Sequence, residues 1–80
     1  MHVERYYSDE GSTSMATWRY HVTGDDGHQW DVEINRFPQG CRWQLPDDTN
    51  HYQAGLTDYH ETREQALDAA IEHLNQYHTR

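Results

Sequence analysis

Eighty residues carry fourteen Asp and Glu against six Arg and no Lys, a formal charge of −8, with a mean hydropathy of −1.23. The acid excess excludes direct binding to DNA or RNA, because phosphate contacts need clustered cations. No apolar run nears the roughly 20 residues that span a bilayer, so no membrane partner is expected.

Three Trp, six Tyr and one Phe give the chain enough bulk for one folded module, expected to span residues 1–80. Met1 to Arg5 lacks the basic-then-apolar pattern of a signal peptide. Cys41 is the single cysteine, which excludes an intrachain disulfide and suits a reducing cytoplasm. Strand-like alternation around Cys41 makes it a buried structural thiol and not a nucleophile.

In chain order, Val3 to Tyr7 reads as a short first strand and Ser8 to Ser14 as a loop. Ala16, Trp18, Tyr20 and Val22 alternate with polar residues, the pattern of a half-buried strand. Trp30, Val32 and Ile34 repeat it, as do Cys41, Trp43 and Leu45. Pairing Trp18 with Ile34, Tyr20 with Val32 and Val22 with Trp30 puts every apolar side chain on one face. A one-residue slip buries Gln29 and Asp31 instead.

This register leaves Asp25-Asp26-Gly27 as a three-residue loop with Gly27 left-handed. It also sets Arg19 against Glu33 and His21 against Asp31 on the outer face. Phe37 to Gly40 makes the next turn, and His51 to Thr57 is a candidate last strand. Thr62 with Gln65 forms a capping box that opens a helix over about residues 62–78. Its apolar stripe is Leu67, Ala70, Ile71, Leu74 and Tyr77. The expected fold is α+β, an antiparallel β-meander of three to five strands with one C-terminal helix packed on one face. An unpaired edge strand leaves both a monomer and a sheet-extended dimer open.

The acids fall where folding does not ask for them. Glu64, Asp68 and Glu72 stack at i, i+4 and i+8, with Glu61 just before the helix. Like charges at this spacing cost a helix a few tenths of a kcal/mol per pair. Only Glu61 and Glu64 lie near enough to the N-terminus to gain from its dipole. The row reads either as a solvated face or as carboxylates that dock Arg and Lys of a partner.

Alternate turns of a meander share one end of the sheet, so Asp25 and Asp26 should neighbour Asp47 and Asp48. Each pair has a His close behind, His28 and His51, and the returning helix would bring His78 toward the same edge. Asp-rich turns and an acidic contact patch both account for this. A metal site on His28 and His51 is the weaker alternative, since the spacing matches no established motif. The seven His are otherwise scattered, and no nucleophile elbow supports a hydrolase. No catalytic residue and no cofactor are expected. Trp18, Tyr20, Trp30 and Trp43 belong to the core, whereas Tyr6, Tyr7, Tyr52 and Tyr59 are less constrained, and Tyr52 and Tyr59 join the candidate binding residues.

Residues 59–70 read Tyr-His-Glu-Thr-Arg-Glu-Gln-Ala-Leu-Asp-Ala-Ala. An aromatic strand leading into such a helix is similar to a pattern common in small bacterial and phage proteins. In size, acidity and lack of a catalytic motif the chain resembles phage-encoded anti-CRISPR proteins. That resemblance implies a non-enzymatic inhibitor that occupies basic, nucleic-acid-binding surfaces of its target. It carries no residue roles, because the group shares no sequence signature. The partner expected from the acids is a basic protein or a nucleic-acid-handling complex. An antitoxin-like or regulatory module that binds a small basic protein uses the same acids.

Overall fold

The computed structural model describes residues 1–11, 15–46 and 58–77. Four strands, β1 (His2–Asp9), β2 (Ala16–Thr23), β3 (Gln29–Phe37) and β4 (Gly40–Gln44), form one antiparallel sheet in the order β1-β2-β3-β4. The helix α1 (Arg63–Tyr77) packs over β3 and β4, giving an α+β architecture. The candidate strand at His51 to Thr57 and His78 lie outside the described residues.

The alternating pattern fixes the centre of the sheet. Trp18 lies opposite Ile34, Tyr20 opposite Val32 and Val22 opposite Trp30, the pairing that keeps all six on one face. These six residues are buried, together with Ala16, Cys41, Trp43 and Leu45. Each indole removes about 150–250 Å² from water, which contributes about 4–6 kcal/mol before entropy is charged against it. That burial is what lets so polar a chain fold.

Turn chemistry agrees with the register. The Gly24 N–H donates to the His28 carbonyl at 2.8 Å, closing a three-residue loop, and Gly27 sits at φ 84°. The Asp26 carboxylate accepts from the His28 N–H at 3.0 Å, an Asx-type turn contact.

Three features go beyond the sequence pattern. The first strand reaches Asp9, so Ser8 and Asp9 belong to β1 and not to the loop. It contains a bulge: Arg5 faces Tyr20 and Tyr7 faces Arg19, with Tyr6 the extra residue. Second, His60 forms an isolated bridge with Cys41 at the outer edge of β4. Third, the most deeply buried row of α1 is Ala66, Ala70 and Leu74, all at 0 % exposure. Leu67 and Ile71 are half-buried at its margin, so the apolar stripe is rotated from Leu67 toward Ala66. Two alanines at the contact let the helix backbone approach a sheet already filled by indoles.

Candidate functional site

Helix α1 starts where the sequence places its cap. The Gln65 N–H donates to Thr62 Oγ1 at 3.1 Å. The reciprocal bond is shifted by one residue, because Gln65 Oε1 accepts from the N–H of Glu61 (3.0 Å) and not from that of Thr62. With Ala66, Ala70 and Leu74 held against the sheet, Glu64, Asp68 and Glu72 are turned outward and exposed, and Glu61 is exposed just ahead of them. Consecutive members of the row are four residues apart, about 6 Å along the axis.

The electrostatics of the row are uneven. Glu64 is held below the ordinary glutamate pKa, first by its hydrogen bond to its own backbone N–H in the opening turn. Arg63 adds to this with an ion pair to Glu64 at 3.3 Å. Asp68 and Glu72 have no ion pair among the described residues, and the last turn of the helix carries no basic residue.

Four arginines make contacts with aromatic rings or with Glu33. Arg19 donates through Nε to Glu33 Oε1 at 2.9 Å, and this bond raises the Arg19 pKa. Glu33 also accepts from Asn35 Nδ2 at 3.2 Å and from Gln44, so the outer sheet face forms a polar network of its own. Arg36 and Arg63 both lie over the Trp18 ring, 5.4 and 4.9 Å from its centroid. Arg42 lies over Phe37 and Tyr59, at 4.5 and 4.8 Å. Such cation–π contacts are worth about 0.5–2 kcal/mol each. Four of the six arginines are thus drawn to aromatic rings or to Glu33, and none of these four neutralises Asp68 or Glu72.

A shallow groove of about 330 Å³ runs past the helix start. Arg36, Arg63, Glu10, Glu61 and Glu64 line it, with Cys41 and Trp18 at its base. The Cys41 thiol is raised above its ordinary pKa by burial, which suits a packed side chain and not a nucleophile.

The remaining candidates are placed as follows. Asp25 and Asp26 are exposed on the β2–β3 hairpin, and Asp25 accepts from the Met1 ammonium at 2.8 Å, which lowers its pKa. His28 tilts against Trp30 with ring centroids 4.5 Å apart. Tyr59 is exposed and meets Phe37 edge-on at 6.4 Å. Asp47, Asp48, His51 and Tyr52 lie outside the described residues. Among the described residues no group of three or more His, Cys, Asp or Glu could hold a metal ion. No described helix is long and apolar enough to cross a membrane.

Sequence reasoning missed the aromatic–arginine cluster and the Cys41–His60 bridge. Spacing along the chain gives no signal for either, since each joins residues from different elements. Comparison with protein families, curated proteins and solved structures finds no match to this chain.

Proposed function

We propose that this chain is a non-enzymatic binding module that occupies a basic, nucleic-acid-handling surface of a partner protein. One observation carries this reading. Glu64, Asp68 and Glu72 are exposed in one row, and although Arg63 pairs with Glu64, Asp68 and Glu72 have no ion pair among the described residues. Asp68 and Glu72 therefore keep their charge at a cost to helix stability, and a partner surface rich in Arg and Lys would relieve that cost. Tyr59, exposed at 42 % and placed near the helix start, supplies an aromatic contact of the kind interfaces favour.

The resemblance to phage-encoded anti-CRISPR inhibitors points the same way: carboxylates stand in for nucleic-acid phosphates and keep the natural ligand out. Such an inhibitor acts in the cytoplasm of an infected bacterium. Long-range attraction speeds the encounter and makes it sensitive to salt.

The test is recovery of bound proteins from a bacterial lysate on the tagged chain, followed by a salt series. A stoichiometric nucleic-acid-binding complex that dissociates as salt rises is the expected result. Reversal of Glu64, Asp68 and Glu72 to Lys in a domain that keeps its circular-dichroism spectrum should abolish recovery. Wild-type recovery by the reversed variant removes the helix face from the proposal.

A further inference from the structure

We propose that β1 is the interface of a two-fold symmetric dimer, in which two copies of this chain join edge to edge into an eight-stranded sheet. Among the described residues β1 is an edge strand, hydrogen-bonded within the sheet to β2 alone. All eight of its residues are exposed, and Val3, Tyr6 and Tyr7 are large apolar side chains at 37, 45 and 43 %. The opposite edge is closed differently, because His60 bridges to Cys41 of β4.

The occupant follows from symmetry. Two antiparallel strands related by a two-fold axis keep the same face of each sheet on the same side. Facing residues must therefore come from the same face of their own strands. In a regular strand faces alternate, so a strand with an even number of residues cannot pair with its own copy over its full length. Each inner residue would meet an outer one. β1 has eight residues, and the bulge at Tyr6 removes this obstacle.

The pairing with β2 places Val3, Arg5 and Ser8 on the core face, opposite Val22, Tyr20 and Trp18. It places His2, Glu4, Tyr7 and Asp9 on the outer face, opposite Thr23, His21, Arg19 and Thr17. In the full-length antiparallel register Val3 then meets Ser8 of the second copy, inner with inner. Glu4 meets Tyr7 and His2 meets Asp9, outer with outer, while the two bulges pass each other at Arg5 and Tyr6.

Charge counts against two of the neighbouring registers. In the full-length register the terminal pairs are His2 with Asp9, twice, and no like charges face each other. A slip of two residues one way sets Glu4 against Asp9 twice, and a slip of one residue to a centre on Arg5 sets Arg5 against itself. A bulge normally blunts an edge. Here its position at the midpoint makes the strand complementary to itself. The bulge is also held in place: Tyr6 stacks on His21 at 3.9 Å between centroids, and Arg19 lies 5.2 Å over Tyr7.

Dimerisation and partner binding respond to salt in opposite senses. Each copy carries −8, and screening at a Debye length of about 8 Å relaxes the repulsion between copies. The test is sedimentation equilibrium of the purified full chain up to about 1 mM, a concentration that detects even weak association, together with a disulfide trap. Val3→Cys with Ser8→Cys should form a covalent dimer under mild oxidation, because these positions face each other across the axis. They are too far apart within one strand to close on themselves. Glu4→Cys with Ser8→Cys, on opposite faces, should not form one. Asp9→Lys should weaken association about 2- to 10-fold, and addition of His2→Asp should restore it. A chain that stays monomeric at every concentration and salt, or that traps equally well with both cysteine pairs, overturns the proposal.

Discussion

Cys41 and His60 exchange two backbone hydrogen bonds, each 2.8 Å, N–H to carbonyl in both directions. This single rung pins the chain to the edge of β4 two residues before the Thr62 cap. It thereby sets where α1 begins and which of its faces meets the sheet. The exposed row at Glu64, Asp68 and Glu72 depends on that choice.

The rung requires a glycine beside it. Gly40 has φ 137°, and a Cβ there would lie 2.6 Å from the His60 carbonyl oxygen. Gly40→Ala therefore combines backbone strain with a clash against main chain that cannot rotate away. The expected loss is about 2–3 kcal/mol, read as a lower denaturant midpoint at unchanged slope. A variant as stable as the wild type would show that the rung contributes little.

Asp68 separates stability from function. Asp68→Lys replaces two like-charge i, i+4 contacts, to Glu64 and Glu72, by two attractive ones. It should stabilise the domain by about 0.5–1 kcal/mol and weaken partner binding in the same protein. Equilibrium unfolding and partner recovery measure the two effects side by side. A gain in stability with unchanged binding would mark the row as solvated surface.

Glu64 gives a pH dependence with a defined sign. Its folded-state pKa lies below the ordinary value, so its contribution is complete above that value, where both states are ionised. As the pH falls below it the unfolded chain takes up the proton first and the contribution drains. It is gone once the folded protein is protonated as well. Glu64→Gln should therefore narrow the difference from wild type on the acid side only, as read by unfolding midpoints across an acid series. A difference that persists unchanged into acid would assign the effect to packing.

Where period and turn chemistry act locally, the chain reads plainly. The pairing of Trp18 with Ile34 and the hairpin at Gly27 follow from face parity and a left-handed glycine, both visible in neighbouring residues. The cap at Thr62 is legible for the same reason, although its return bond lands on Glu61. The rotation of the helix stripe toward Ala66 is not legible. Hydropathy ranks Leu67 above Ala66, whereas close approach to a sheet of indoles favours the smaller side chain.

The acidic row shows the same division. Its spacing is in the sequence, but the lack of a described ion pair at Asp68 and Glu72 is not, because the chain contains arginine enough to offset them. Arg36 and Arg63 go to Trp18, and Arg42 to Phe37 and Tyr59. Those choices join residues far apart in the chain. The bulge at Tyr6 belongs to this class too, since it is fixed by stacking on His21 across the sheet.

By itself the sequence determined the charge, the alternation and the helix period, which depend on residue types at fixed separations. Only the tertiary structure decided, among the described residues, which acids stay unpaired and which edge stays open, because those depend on where separate elements meet.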